Sequence, residues 1–365
     1  MAVRVEFMTR ILMLIVCCAT PHVSLAQEIT TGSALSLLGE RPPAPPQGYR
    51  TGQEALQAIR SGKVRAMHVP LESTDIIEQK NVEYGRVDDR PLQLDLYQPR
   101  SRPQPVPGVL LIHGGAWKGG HKEDYTIYGR RLAALGYVVA SVNYRLSGEV
   151  KFPAPVEDCK CAVRWIRKNA AELGVDPDAI GVAGGSAGGH LALMVAYCDS
   201  SAGFEGTGGH DDTSSAVQCV VDLYGPTNLT TNFVRQNPFA KQVVGEFLGT
   251  SIDDNLALYQ RASPIMHVTK NSPPTLILHG TADDVVPVNQ SDLLARKLAQ
   301  EKVPYVYDRL PGWPHAMDLS QDVNDRCVWF MNRWFDRCLK NREPVPQQPL
   351  ATQPPPASQP QEAAQ

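Results

Sequence analysis

Short apolar runs alternate with segments of helical periodicity between residues 75 and 342. Eight runs are predicted strands, at 81–87, 92–97, 106–112, 137–143, 180–183, 217–223, 275–279 and 305–310. Five segments with apolar residues at helical spacing are predicted helices, at 124–135, 156–173, 187–196, 288–301 and 323–339. Several strands are almost entirely apolar, which indicates a sheet covered by helices on both faces. Strands that alternate with helices predict an α/β fold with a mostly parallel, doubly wound sheet.

The two flanks of this region lack the pattern. Residues 27–74 are expected to be a partly ordered extension, with one helical signal at 51–61 that is closed by Gly62. Residues 343–365 are rich in Pro, Gln and Ala, a composition that cannot bury a core, so a disordered tail is predicted there. One domain is therefore expected over residues 75–342.

The first 26 residues have the composition of a secretory signal peptide. Two arginines precede an apolar run at 11–19, and the small-x-small sequence Ser24-Leu25-Ala26 precedes Gln27. The run is too short to span a bilayer, so no membrane span is expected in the mature protein. A lipoprotein anchor at Cys17 or Cys18 is the less favoured alternative, since neither follows the small residue that such a signal requires. Both alternatives predict export to the periplasm or the cell exterior.

Charge and cysteine content exclude some classes of function. The chain of 365 residues has 35 basic and 38 acidic residues, so nothing points to nucleic acid or an anionic membrane surface. Most of the cysteines beyond the first 26 residues are predicted to be buried thiols, and neither a disulfide framework nor a C-x-x-C metal or redox site is expected. They are Cys159, Cys161, Cys198, Cys219, Cys327 and Cys338.

A nucleophile elbow is predicted at Ser186. Gly184, Ser186 and Gly188 match G-x-S-x-G, the sharp strand-to-helix turn that lifts a serine hydroxyl out of a sheet. An apolar strand precedes the motif and an apolar helix follows it, as this turn requires. A phosphate loop would need a lysine after the glycines, and none is present.

A serine nucleophile needs a base and an orienting acid, which in this fold follow it in the order acid, then histidine. Asp283 and Asp284 both follow the strand predicted at 275–279. His315 is the only histidine after the strand predicted at 305–310. The carboxyl ends of parallel strands meet at one edge of a sheet, so His315 and one of the two aspartates are expected beside Ser186.

A glycine-rich loop is predicted to supply donors for an oxyanion. His113-Gly114-Gly115 follows the strand predicted at 106–112, and an N–H of such a loop acts together with the N–H after the nucleophile, here Ala187. His113 is expected to brace the loop. The inserted segment 228–261 contains several aromatic residues and is predicted to form a small cap over the pocket, with additional core packing as the alternative.

With these residues in place, the chain resembles the α/β-hydrolase superfamily over residues 75–342. His113-Gly114-Gly115, the segment 144–158 and Gly185-Ser186-Ala187-Gly188-Gly189 resemble the hormone-sensitive-lipase-like carboxylesterases. The segment 279–287 is more similar to the bifunctional acetylxylan/feruloyl-esterase-like group and to prolyl-oligopeptidase-type peptidases.

This resemblance implies an α/β-hydrolase fold in which Ser186 is the nucleophile, Asp283 the orienting acid and His315 the base. It also implies an oxyanion hole formed by N–H groups of Gly115, Ala116 and Ala187. Two positions depart from the lipase-like pattern, which usually has a third glycine at 116 and an aspartate at 185. The departures concern the subfamily and not the chemistry.

The sequence therefore predicts an exported serine carboxylesterase that acts through an acyl-enzyme on short-chain or aromatic esters. Acetyl or feruloyl groups on a polysaccharide are expected substrates, and no metal or cofactor is needed. A peptidase or amidase is the alternative, because the same triad serves amides. A non-catalytic binding protein is less favoured, because all three triad positions are filled. Oligomeric state stays open.

Overall fold

The computed structural model describes residues 38–68 and 74–345. The predicted signal peptide and nearly all of the predicted C-terminal tail lie outside these ranges.

An eight-stranded sheet forms the centre of the domain, in the order β1-β2-β4-β3-β5-β6-β7-β8. Strand β2 pairs antiparallel with β1 and β4, and all other pairs are parallel, which confirms the predicted mostly parallel sheet. The strands are β1 (Ile76–Val87), β2 (Arg90–Pro99), β3 (Val106–Ile112), β4 (Val138–Val142), β5 (Val175–Gly185), β6 (Cys219–Leu223), β7 (Thr275–Gly280) and β8 (Tyr305–Leu310).

Two strands begin five residues earlier than predicted. β1 starts at Ile76 and β5 at Val175, ahead of the predicted 81 and 180. Both extra segments contain polar, exposed residues that interrupt the apolar pattern. β1 is an edge strand of the sheet. An apolar run therefore identifies only the buried part of each strand.

Ten α-helices are described: α1 (Gly52–Arg60), α2 (Thr126–Ala134), α3 (Ala154–Lys168), α4 (Ala170–Leu173), α5 (Ala187–Tyr197), α6 (Asn232–Gln236), α7 (Pro238–Leu248), α8 (Leu256–Arg261), α9 (Asn289–Gln300) and α10 (Gln321–Phe335). Short 3₁₀ turns occupy Lys122–Tyr125, Ser200–Ala202, Pro264–His267 and Met317–Leu319, and a π turn, Asp336–Lys340, follows α10. The single helix predicted at 156–173 is interrupted at Asn169, whose side-chain amide donates to the Trp165 carbonyl at 2.8 Å.

Alternate residues of the strands pack into two apolar clusters, one on each face of the sheet. In β3, Leu110 and Ile112 join a cluster with residues of α3, α5 and α9, whereas Val109 and Leu111 join a cluster with residues of α2 and α10. This period-two alternation between two buried faces explains why the central strands are apolar throughout.

The segment 228–261 contributes α6, α7 and α8. Its aromatic residues differ in burial. Phe247 and Tyr259 belong to the core, while Phe233 and Phe239 are partly exposed. The segment thus contains both core-packing and solvent-facing aromatics.

Residues 38–68, called here the N-terminal segment, lie along the connection from β8 to α10. The Tyr49 N–H donates to the Gly312 carbonyl at 2.8 Å, and the Met67 N–H donates to the Leu319 carbonyl at 2.7 Å. Thr51 caps α1 by accepting from the Glu54 N–H, in the helix that the sequence predicts. The N-terminal segment therefore borders the chain on both sides of His315.

All six described cysteines are free, and five of them are buried, in agreement with the sequence prediction. Over residues 38–68 and 74–345, no helix has the length and hydropathy needed to cross a membrane.

Candidate active site

Ser186 lies at the sharp turn between β5 and α5. Its φ of 56° and ψ of −125° are strained for a residue with a side chain, as expected of a nucleophile elbow. A Cβ at Gly184 would lie 2.2 Å from the Gly188 carbonyl oxygen, and one at Gly188 would lie 2.1 Å from that of Ile112. Both glycines are therefore required by close backbone contacts.

The structure brings Ser186, His315 and Asp283 into one hydrogen-bonded chain. The Ser186 hydroxyl lies 2.9 Å from Nε2 of His315, and Nδ1 of His315 lies 2.7 Å from Oδ2 of Asp283. A carboxylate can only accept, so Nδ1 carries the hydrogen and Nε2 is the acceptor that faces the serine. Asp284, the other candidate acid, is exposed.

Asp283 accepts hydrogen bonds from groups outside the triad as well as from His315. Its Oδ1 accepts from the N–H groups of Val285 and Val286 at 3.0 and 2.8 Å. Nε2 of His279 lies 3.1 Å from Oδ2, and Nδ1 of His279 lies 2.7 Å from the Ser291 hydroxyl. Burial alone would raise the pKa of Asp283, but the charge of His315 and the hydrogen bond from His279 lower it below its usual value. The carboxyl therefore stays ionised.

The imidazole of His315 is largely buried and packs edge-on against Tyr224, with 4.9 Å between ring centroids. Burial lowers the pKa of His315, but the charge and hydrogen bond of Asp283, with contributions from Asp284 and Asp318, raise it above its ordinary value. Asp318 is itself fixed, because it accepts from Tyr224 at 2.5 Å and from Tyr128 at 2.7 Å.

The predicted oxyanion loop lies directly against the nucleophile. A Cβ at Gly114 would lie 3.2 Å from the Ser186 Cβ. Within the described part of the chain, the N–H groups of Gly115, Ala116 and Ala187 have no protein acceptor. Unpaired N–H groups in a loop that contacts Ser186, and at the residue that follows it, are available to bind an oxyanion that develops in acyl transfer.

His113 braces this loop. Its Nδ1 lies 2.8 Å from the Gly114 carbonyl oxygen, and its ring stacks on Tyr144 with 4.4 Å between centroids. The Tyr144 hydroxyl donates to the His113 carbonyl at 3.1 Å. Burial lowers the pKa of His113 to about 4, so the ring is neutral at physiological pH.

The surroundings of Gly185 explain its departure from the lipase-like pattern. A Cβ there would lie 2.5 Å from the Tyr125 hydroxyl oxygen and 3.1 Å from that of Tyr224. The two tyrosines occupy the volume that an aspartate side chain would need.

Sequence reasoning missed three contributors to the site. The sequence singles out His279 only as part of a motif, although its position at the end of β7, four residues before Asp283, is a signal. His190, which no sequence motif singles out, is buried, and its Nδ1 accepts from the Trp117 indole at 3.2 Å. The N-terminal segment gave no signal for contact with the His315 loop.

The described residues contain no group of three or more His, Cys, Asp or Glu side chains arranged to bind a metal ion.

Comparison with known proteins gives a consistent assignment. The BD-FAE family profile matches residues 94–298. Esterase LipQ of Mycobacterium tuberculosis is 32% identical over 77% of this chain and 67% of its own length. The chain spans only 60% and 55% of the lengths of two further esterases from that organism.

Solved structures agree with this assignment. A carbohydrate esterase from gut microbiota superposes with a TM-score of 0.63 at 27% identity, covering 73% of this chain and all of that one. The propionate-bound esterase Est2 of Thermogutta terrifontis superposes with a TM-score of 0.59 at 27% identity, covering 73% of this chain and 94% of that one. The chain belongs to the BD-FAE family, and thereby to the carboxylic-ester hydrolases with an α/β-hydrolase fold.

Proposed function

We propose that the protein hydrolyses carboxylic esters through an acyl-enzyme formed on Ser186. His315 accepts the serine proton at Nε2 while Oγ attacks the ester carbonyl. The N–H groups of Gly115, Ala116 and Ala187 stabilise the oxyanion that develops. His315 then protonates the leaving alcohol, and a water molecule activated by the same imidazole releases the acid.

The observation that carries this proposal is the unbroken chain from Ser186 through His315 to Asp283, at 2.9 and 2.7 Å. Asp283 holds Nδ1–H and stabilises the imidazolium that forms when the serine proton is transferred. Its lowered pKa keeps this carboxylate charged throughout the pH range in which His315 titrates.

As substrates we propose esters of short-chain or aromatic acids, with acetyl or feruloyl groups on a polysaccharide as the natural form. The proposal draws on the carbohydrate esterase among the structural neighbours and on the neighbour that binds propionate.

We also propose that the protein is exported. The support is the sequence of residues 1–26, with a basic start, an apolar run and a small-x-small site. Mass spectrometry of the exported protein is expected to find Gln27 at its N-terminus. Metabolic labelling with palmitate would instead reveal a lipid anchor at Cys17 or Cys18.

The test of function compares wild type with Ser186→Ala on p-nitrophenyl acetate, butyrate and octanoate and on methyl ferulate. Ser101→Ala is the matched control, since it makes the same chemical change at an exposed serine. Wild type and control are expected to hydrolyse one of the short or aromatic esters, and Ser186→Ala to lose at least about three powers of ten in kcat. Hydrolysis that survives in Ser186→Ala would contradict the proposal.

Amide substrates distinguish the peptidase alternative. We expect aminoacyl p-nitroanilides to be cleaved far more slowly than the esters. If the protein cleaves these amides in a Ser186-dependent reaction and leaves every ester intact, the peptidase assignment replaces the esterase assignment.

A further inference from the structure

The predicted oxyanion loop holds two consecutive non-glycine residues in the left-handed region. Ala116 has φ of 55° and Trp117 has φ of 57°. Such conformations are unfavourable for residues with a Cβ and persist only where surrounding contacts fix them. The contacts that fix this loop therefore decide where the Ala116 N–H points.

The Trp117 side chain supplies those contacts. Its indole is buried and stacks on Phe247, with 4.4 Å between centroids and 9° between ring planes. Its Nε1–H donates to Nδ1 of His190 at 3.2 Å, and its carbonyl accepts from the Ser147 N–H at 2.8 Å. Trp117 is thus held on its face, its edge and its backbone.

His190 connects the Trp117 side chain to α5, the helix that follows Ser186. It lies one turn after Ser186 in α5, and its Nε2–H donates to the Ala262 carbonyl at 2.8 Å. With Nε2 donating, Nδ1 is free to accept from the indole. Burial lowers the pKa of His190 to about 4, which agrees with this neutral tautomer.

Phe247 connects the Trp117 side chain to the inserted segment 228–261. Phe247 lies near the end of α7 and is fully buried, so it has no surface with which to contact a substrate. Its carbonyl accepts from the Phe152 N–H at 3.0 Å, and its ring packs edge-on against His190 at 5.6 Å. Next to it, Glu246 pairs with Lys118, the residue after Trp117, at 2.7 Å.

We propose that Phe247 and His190 are positioning residues for the oxyanion hole, acting through the side chain of Trp117. The inserted segment 228–261 then contributes to catalysis by holding the loop that carries the Ala116 N–H. This inference rests on the proposed ester hydrolysis by Ser186 and adds how one of its oxyanion donors is fixed.

The test is Phe247→Leu, which removes the aromatic face and keeps an apolar side chain. We expect kcat for p-nitrophenyl acetate to fall about 10- to 100-fold, somewhat less than deletion of an oxyanion donor costs, with KM within about threefold. The inhibition constant of an alkyl trifluoromethyl ketone, which forms an oxyanion with the serine, should rise by the factor by which kcat/KM falls.

Phe239→Leu is the matched control, because it makes the same change on the same helix at a partly exposed residue. A segment that only covers the pocket would give similar shifts in KM for both variants and leave kcat and ketone binding unchanged. That result would overturn the inference, as would wild-type kinetics in Phe247→Leu.

Trp117→Phe decides the question if Phe247→Leu does not fold. It keeps the ring stack and removes the donor to His190, so kcat is expected to fall about three- to tenfold at an unchanged melting temperature. Wild-type kcat in Trp117→Phe would then contradict the inference. Failure of the proposed function is a different result, namely wild-type ester hydrolysis that is absent or independent of Ser186.

Discussion

Replacing Asp283 with asparagine removes the charge that faces His315 and keeps the shape of the side chain. Nδ1 and Oδ2 are 2.7 Å apart, so the two charge centres lie roughly 4 Å apart. At an effective dielectric constant of about 20, such a pair attracts by about 4 kcal/mol. This attraction is fully expressed only when His315 becomes an imidazolium in the transition state.

A loss of about 4 kcal/mol corresponds to about three powers of ten in rate. An asparagine amide that donates to Nδ1 would also favour the wrong imidazole tautomer, so the loss in Asp283→Asn is expected at about 10³- to 10⁴-fold in kcat. The assay is kcat and kcat/KM for p-nitrophenyl acetate near pH 8, with circular dichroism to show that the variant is folded.

Asp284→Asn is the matched control, since it removes the same charge one residue further along, at an exposed side chain. Its kcat is expected to change by no more than about threefold, because an exposed charge is screened by solvent. The reasoning is refuted if Asp284→Asn loses the activity and Asp283→Asn keeps it within about tenfold of wild type.

Three further predictions follow from the geometry. His315 acts as a base in its neutral form, and its pKa is raised, so kcat/KM should increase with pH through a midpoint above about 6.5, the pKa of an ordinary histidine. A midpoint below about 6.5 would contradict this electrostatic account. Gly184→Ala places a Cβ 2.2 Å from a backbone oxygen, so it should lower the melting temperature in a thermal scan by several degrees or prevent folding. Gly148→Ala places its Cβ in open space and should leave the melting temperature unchanged. Trp313 lies two residues before His315 and donates a 3.2 Å hydrogen bond to a carbonyl of the N-terminal segment. Trp313→Phe removes this bond and should lower kcat about fivefold at similar KM, whereas Trp329→Phe should have no effect. Equal kinetics of the two variants would show that this contact does not affect His315.

The elements nearest the nucleophile could be predicted because their physical requirements are local. Gly184 and Gly188 are needed for close backbone contacts within one turn, so they stand at fixed spacing around Ser186. The alternating strands and helices can be predicted for the same reason, because apolar periodicity is visible over short windows of sequence. The order of the strands identifies His315 as the candidate base. The choice of Asp283 over Asp284 rests on the resemblance to a known family, because their spacing from the strand does not distinguish them.

The remaining features depend on contacts between residues that are distant in sequence. The stack of Trp117 on Phe247 and the hydrogen bond from Trp117 to His190 join three separate segments, and no periodicity connects them. The N-terminal segment is polar and rich in proline, yet its Tyr49 N–H pairs with the carbonyl of Gly312. Such pairings are set by tertiary packing, so they become visible only in the folded chain.

The most direct test of the central claim is to identify the acylated residue. The protein is mixed with p-nitrophenyl acetate, quenched in acid within the first turnover, and analysed by peptide mass spectrometry. The account predicts one acetyl group on the peptide that contains Ser186, with a burst of p-nitrophenol equal to the enzyme concentration if deacylation is the slower step. Acetylation at another residue, together with full esterase activity in Ser186→Ala, would contradict it.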